Sequence, residues 1–270
     1  MSCKLICSVC KSPLNKVDNM YKCKSGHSYD IAKEGYVNLM LANNKSSKEP
    51  GDNKEMMLAR RSFLNSGAYN KLLNEITSIL KSYIMEDSVV VENGCGEGFY
   101  ISNIKSQFPK AECYGFDISK DAIKLACKRT KDVDFFVSSS YNCNIDSKCC
   151  DVALVIFAPF VEQELDRILN DCGITLVVRP KQEHLFELKS LFYNDLSPIK
   201  NQIYEKFYVY KSINLRYRIY LNHENVIDLL KMTPFYYRVS EEKKQKIESI
   251  SLNNGIKVEF LIEVLKKIKI

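Results

Sequence analysis

Val89-Val90-Val91-Glu92-Asn93-Gly94-Cys95-Gly96-Glu97-Gly98 carries a β-branched run straight into three alternating glycines. A run of this kind reads as a buried strand. Glycine lets the chain turn sharply and lets a ligand approach a backbone that carries no Cβ. Phe99–Gln107 has helical spacing, so the turn delivers a strand into a helix N-terminus, where free amides face outward. The same rhythm continues downstream. Strands are predicted over Cys113–Phe116, Val133–Val137, Val152–Phe157 and Ile174–Val178. Helices are predicted over Ser119–Arg129, with Ser119 as N-cap, and over Val161–Asn170 and Glu183–Phe192. Alternation of this type implies βαβ units and a parallel sheet covered on both faces. Upstream, Glu55–Asn65 and Tyr69–Ile84 read as helices, the second from the spacing of Leu72, Leu73, Ile76, Ile79, Leu80, Tyr83 and Ile84. The tail reads as a long strand over Phe207–Tyr220, a helix over Asn225–Lys231 and a strand over Ile256–Leu265, with the two strands at one sheet edge.

Two carboxylates narrow the reading. Glu92 precedes the first glycine by two residues, and Asp117 closes the second strand, where a carboxylate can take two ribose hydroxyls. The spacing differs from the G-x-G-x-x-G dinucleotide fingerprint. E-x-G-x-G-x-G followed by a strand-end Asp is the pattern of Rossmann-like S-adenosylmethionine-dependent methyltransferases. The fold class expected is therefore α/β, a mostly parallel seven-stranded sheet, with a small zinc-binding module in front. Gly94, Gly96 and Gly98 are expected to approach the methionine and ribose portions of the cofactor, and Asp117 to hold the ribose. Ser138–Ser140 follows the third strand, where adenine contacts usually fall, but it lacks the customary acidic or amide residue.

Composition fits this picture. Of 270 residues, 46% are hydrophobic and 27% charged, an ordinary globular mixture that excludes a disordered or collagen-like chain. The longest apolar runs are strand-sized, so no membrane span is expected. Met1–Leu14 is interrupted by Lys4 and Lys11 and has no signal-peptide core. Eleven cysteines without a secretion signal point to a reducing cytoplasm rather than a disulfide framework. Of the formal net charge of +6, residues 1–61 carry 11 − 6 = +5. An anionic partner for this end, or a solvated lysine-rich face, both account for the excess.

That end also holds the tightest Cys/His cluster. Cys7-x2-Cys10 is followed by Cys23-x3-His27. Two close pairs of thiolate and imidazole donors separated by a hairpin-length insert suit tetrahedral Zn²⁺, and with four donors the site is structural rather than catalytic. Lys11, Lys16, Lys22, Lys24 and Lys33 surround the cluster, with Tyr21, Tyr29 and Tyr36 between them. Cations for phosphates and rings for unstacked bases suit RNA. The alternative is a solvated basic face with core tyrosines. Three zones follow: 1–42 as the zinc-binding module, 43–84 as linker and connecting helices, and 85–270 as the methyltransferase domain.

Longer motifs point to a family. His27-Ser28-Tyr29-Asp30-Ile31-Ala32-Lys33-Glu34-Gly35-Tyr36-Val37-Asn38-Leu39 is very specific. So is Pro50-Gly51-Asp52 followed by Glu55-Met56-Met57 and Arg60-Arg61. With Cys95–Gly98, Ile118–Lys120, Ala158-Pro159, His184–Lys189 and Met232–Phe235, the chain closely resembles the bacterial large-subunit rRNA guanine-N1 methyltransferases, the RlmA family, from about Cys7 to Phe235. The resemblance implies methylation of N1 of a guanine in a hairpin loop of 23S rRNA, a homodimer, and zinc on Cys7, Cys10, Cys23 and His27. It implies cofactor contacts from Tyr69, from Gly96 and Glu97, and from His184, a residue that would otherwise read as surface. Ala158-Pro159 follows the fourth strand, where this class makes its contacts at the reacting end of the cofactor and with the target base. Glu92 replaces the family's usual Asp, and Asn93 replaces an apolar residue.

Guanine N1 carries a proton and lies on the Watson–Crick edge, so the base must be unpaired or flipped and the proton removed. Spacing does not identify the base catalyst; Glu162 and Glu187 are the carboxylates nearest the relevant motifs. Two other readings remain at this point: a zinc-module RNA-binding protein with a defunct cofactor pocket, and a methyltransferase acting on a small molecule.

Overall fold

Val90 and Val152 face one side of a central sheet, while Val89, Val91 and Ala153 face the other, and all are buried. Strands enclosed on both faces need apolar side chains at every position, hence the unbroken valine-rich runs. The computed structural model describes residues 5–41, 53–190, 202–233, 236–238 and 255–268. The Pro50–Asp52 and Pro234-Phe235 motifs, Cys3 and the predicted helical residues 191–192 lie outside these.

The chain opens with β1 (Leu14–Val17), β2 (Met20–Cys23) and β3 (Ser28–Asp30), a three-stranded antiparallel sheet. A two-residue strand, β4 (Val37–Asn38), follows. Two helices come next, α1 (Lys54–Asn65), capped by the Asn53 side chain, and α2 (Asn70–Leu80). The α/β units are β5 (Val89–Asn93), α3 (Phe99–Gln107), β6 (Glu112–Asp117), α4 (Lys120–Arg129) and β7 (Asp134–Val137). They continue with β8 (Cys150–Ile156), α5 (Glu162–Ile168), β9 (Leu169–Pro180) and the short α6 (Phe186–Lys189). The chain closes with β10 (Phe207–Ile219), α7 (His223–Lys231) and β11 (Ile256–Lys267).

The large sheet runs β10-β11-β9-β8-β5-β6-β7-β4. All neighbours from β9 to β4 pair in parallel, and β11 and β10 add antiparallel at one edge, as the tail pattern predicted. The sheet has eight strands rather than the expected seven. The extra strand is β4, whose Val37 and Asn38 pair with Phe136 and Val137 of β7.

The two faces are covered differently. One packs against helices α1 to α4 and α7 through residues such as Phe63, Leu72, Ile101, Ile123 and Leu229. The other meets α5, through Leu165 and Ile168, and the N-terminal segment, through Leu5, Cys7, Leu14, Cys23 and Leu39. Pairing of Leu5 with Ile145, and the Asn144 side chain donating to the Ile6 carbonyl at 3.0 Å, fix that segment to the loop after β7. The metal module thus occupies a place that a helical layer was expected to fill.

Candidate functional site

The glycine bend stands at the carboxyl end of β5, beside the ends of β6 and β8, where open α/β sheets bind ligands. Its conformation needs glycine: Gly94, Gly96 and Gly98 have φ of +67°, +54° and +81°. Their surroundings differ. A Cβ on Gly94 would lie 2.6 Å from the Cβ of Ala158. A Cβ on Gly98 would press on Ala126 at 3.0 Å and on the Phe135 ring at 3.1 Å. At Gly96 the nearest atom is a guanidinium nitrogen of Arg60, at 3.4 Å. Gly96 and Gly94 line a cavity of about 580 Å³. Gly98 packs the bend on α4 and β7 and is not part of the cavity lining.

Two carboxylates lock the bend. One oxygen of Asp117 accepts from the Gly96 N–H at 3.0 Å, and the other accepts from the Ser119 N–H at 2.8 Å. Glu92 is buried and accepts from the Ile101 N–H in the first turn of α3 at 3.0 Å. Burial pushes its carboxyl well above the usual range, with Glu97 and Asp117 adding to the rise. Glu97 pairs with Arg129, whose Nε donates at 2.9 Å, while the other Glu97 oxygen, Oε1, is buried without a hydrogen-bond partner among the described residues.

Tyr69, Glu92, Gly94, Gly96, Glu97, Asp117, Ala158 and His184 all line this one cavity. Residues 115 positions apart in sequence, Tyr69 and His184, thus line one cavity. Asn93 joins two loops above it: its amide donates to the Pro159 carbonyl at 2.9 Å, and its carbonyl accepts from the Ser140 hydroxyl at 2.6 Å. Ser138 and Ser140 are absent from the cavity lining; Ser138 donates instead to Asn144. Glu162 and Glu187 are also elsewhere. Glu162 accepts from the amides of Glu205 and Lys206, and Glu187 from the Lys257 amide and Arg218.

Sequence reading missed Arg60, Tyr100, Phe157 and Lys189, which also line the cavity. Met57, Arg60 and Leu64 face it from α1 at helical spacing, a signal present in the sequence. Burial lowers the Lys189 ammonium from its usual value. The cavity combines a glycine cradle, a buried carboxylate oxygen lacking a donor and apolar walls. These features suit a cation-bearing nucleoside.

At the other end, one ligand atom from each of Cys7, Cys10, Cys23 and His27 falls within 4.8 Å of the others. Cys10 and Cys23 sulfurs are 3.7 Å apart, and His27 Nδ1 is 3.5 Å from Cys7 Sγ and 3.3 Å from Cys23 Sγ. Zinc–sulfur bonds of about 2.3 Å in a tetrahedron give edges of about 3.7 Å, so the donor set fits one Zn²⁺. The Tyr29 hydroxyl, 3.1 Å from Cys7 Sγ, stands behind the donors. Around the cluster Lys11, Lys16, Lys22, Lys24 and Lys33 are exposed, whereas Tyr36 is buried in the core and Tyr21 and Tyr29 are half-buried. Lys11 donates to the Asn142 side chain at 2.8 Å, and the tyrosines are chiefly structural.

A mostly parallel sheet with this bend, a strand-end Asp and a shared cavity has the Rossmann-like fold of S-adenosylmethionine-dependent methyltransferases. Residues 90–177 match the profile described as a methyltransferase domain, and residues 5–48 match the one described as "RlmA, N-terminal", a zinc ribbon. A "23S rRNA (guanine(748)-N(1))-methyltransferase" of Streptomyces fradiae is 32% identical over 187 residues, 68% of this chain. The match spans 66% of that relative, just under two thirds of its length. YxjB of Bacillus subtilis (strain 168) is 27% identical over 93% of this chain and 94% of its own. Among solved structures, the MccD protein is similar at a TM-score of 0.48 and 15% identity, over 71% of this chain and 96% of that one. Residues 5–48 are thus similar to the N-terminal zinc ribbon of the RlmA family, and residues 90–177 to a methyltransferase domain.

Proposed function

We propose that this protein transfers a methyl group from S-adenosylmethionine to N1 of a guanine in a hairpin loop of 23S rRNA. The observation that carries the reading is the union, in one chain, of the glycine-lined cavity and the Cys/His tetrahedron, together with similarity to a Streptomyces fradiae protein named for that reaction. S-adenosylmethionine supplies the electrophilic methyl group. Tyr69, Glu92, Gly94, Gly96, Glu97, Asp117, Ala158 and His184 would hold the cofactor. The Glu97 oxygen without a donor suits its cationic or hydroxyl end. Gly98 supports the bend from behind. The protein's work is to align the guanine and exclude water from the cavity. Zinc on Cys7, Cys10, Cys23 and His27 holds the N-terminal module rigid, and its exposed lysines help to recognise the RNA through phosphates. The enzyme works in the cytoplasm as a homodimer; among the described helices none is long and apolar enough to cross a membrane.

Mass spectrometry of 23S rRNA fragments from a strain lacking the gene tests the reading. One N1-methylguanosine is expected to disappear and to return on complementation. An unchanged fragment pattern rejects the rRNA assignment. Activity on a free metabolite but not on rRNA would favour a small-molecule methyltransferase instead.

A further inference from the structure

Phe157 combines features that packing alone does not explain. It ends β8, lines the cavity, and leaves 45% of its surface exposed. Its φ is +57°, a left-handed conformation that bulky residues rarely adopt. An ordinary extended residue here would point to the face of Val155, whereas the left-handed backbone turns the ring to the cavity side, beside Tyr69, Tyr100 and Phe260. Such a backbone persists only where its surroundings over-determine it. Here they do. The Phe157 N–H donates to the Val178 carbonyl at 3.1 Å. Ala158 packs where Gly94 has no Cβ, and Asn93 holds the Pro159 carbonyl. The cofactor bend itself therefore sets the position of this ring.

The ring is also the exposed member of an aromatic group. Tyr69 and Tyr100 lie 6.4 Å from it and Phe260 lies 5.6 Å from it, centroid to centroid. Those three are buried. The Tyr100 hydroxyl is buried on the same cavity wall without a hydrogen-bond partner among the described residues. An apolar occupant would leave it unpaired, whereas a polar ligand offers it a partner. An open flat face beside an unsatisfied hydroxyl suits a nucleobase.

The geometry points to Phe157 as the platform on which the extruded target base stacks, at the junction of the cofactor bend and the loop after β8. The inference rests on the proposed rRNA reaction. Stacking on a fixed ring would offset the cost of taking the base out of its own stack and orient its edge toward the reacting end of the cavity.

The test uses the full-length protein with 23S rRNA isolated from cells lacking the gene. Phe157→Ala, Phe157→Leu and Phe157→Tyr are compared by methyl-transfer kinetics and by calorimetric binding of S-adenosylmethionine. Leucine keeps apolar bulk but has no flat face; tyrosine keeps the face. Phe157→Leu and Phe157→Ala are expected to lower kcat/KM for RNA by roughly 10- to 100-fold. Phe157→Tyr should stay within about threefold of wild type, and cofactor affinity should stay within about threefold in all three variants. Should the alanine variant fail to fold, the leucine and tyrosine pair decides. A leucine variant as fast as wild type overturns the stacking role, because bulk then suffices. Equal losses in cofactor binding and turnover overturn it too, because the ring then serves the cofactor pocket. A wild-type protein inactive on this RNA overturns the rRNA reading and the platform with it, whereas an active wild type with an indifferent leucine variant overturns the platform alone.

Discussion

The hydroxyl of Tyr69 lies 3.4 Å from Nε2 of His184, across 115 residues of sequence. The backbone N–H of Glu259 points at the other ring nitrogen, Nδ1, at 3.3 Å. Nδ1 is therefore the acceptor, and a neutral ring carries its proton on Nε2 and donates to Tyr69. Tyr69 can then direct its own proton into the cavity. Tyr69→Phe should retain the fold and weaken S-adenosylmethionine binding by about 3- to 10-fold, measured by calorimetry.

The same histidine makes stability depend on pH. Burial, aided by Lys189, lowers its pKa to about 3, against about 6.5 in an unfolded chain. Between those values the unfolded chain takes up a proton that the folded chain refuses, so acidification from pH 6.5 destabilises the fold. Glu92 acts in the opposite sense, because its raised pKa lets the folded chain bind a proton before the unfolded one does. His184→Gln should reduce the loss of unfolding free energy between pH 7 and pH 5 by about 2 kcal/mol, as denaturant titrations at the two pH values would report.

Gly94 and Ala158 tie the bend to the loop after β8. Gly94→Ala adds a methyl group that meets Ala158 and places a side chain at φ +67°. The variant should lose about 1–3 kcal/mol of stability. It should also lose cofactor binding, which differential calorimetry with and without S-adenosylmethionine checks through the absence of a ligand-induced rise in Tm.

Asn93 ties the loops after β7 and β8 together through its two side-chain hydrogen bonds. Asn93→Leu should cost about 1–3 kcal/mol, read as a shift in the denaturant midpoint, because Ser140 and the Pro159 carbonyl lose their partner.

Zinc should be present at one ion per chain by elemental analysis, and Cys23→Ser should abolish it. Structural zinc contributes about 10 kcal/mol or more in small modules. Its loss should therefore unfold β1–β3 and expose the amide of Val137, which faces β4, to faster hydrogen exchange.

The sequence is most legible where local and tertiary demands agree. Phe99–Gln107 is helical over the predicted residues because Gly98 ends the bend and the apolar spacing follows at once. The helix expected over Glu183–Phe192 shrinks to Phe186–Lys189 because Leu185 takes a left-handed backbone at φ +57°. His184 was recognisable only through family motifs, since nothing local reveals that β11 and Tyr69 enclose it. Strand β4 left no signal at all: two residues have no period, and its pairing with β7 is set by a partner nearly 100 positions away. The metal donors were readable from spacing because a tetrahedral ion demands close pairs. The places of Tyr100 and Phe157 on the cavity wall depend on distant neighbours and became visible only in three dimensions.

That short strand also acts as a gauge. From β4 across β7 and β6 to β5 is three interstrand steps, about 14 Å, and hydrogen-bonded backbone spans the whole interval. The metal knob is therefore no bead on a tether but a fixed jaw. On the proposed rRNA reading, an RNA held at that module would have to present its base to the cavity across a fixed interval, and not along a flexible tether.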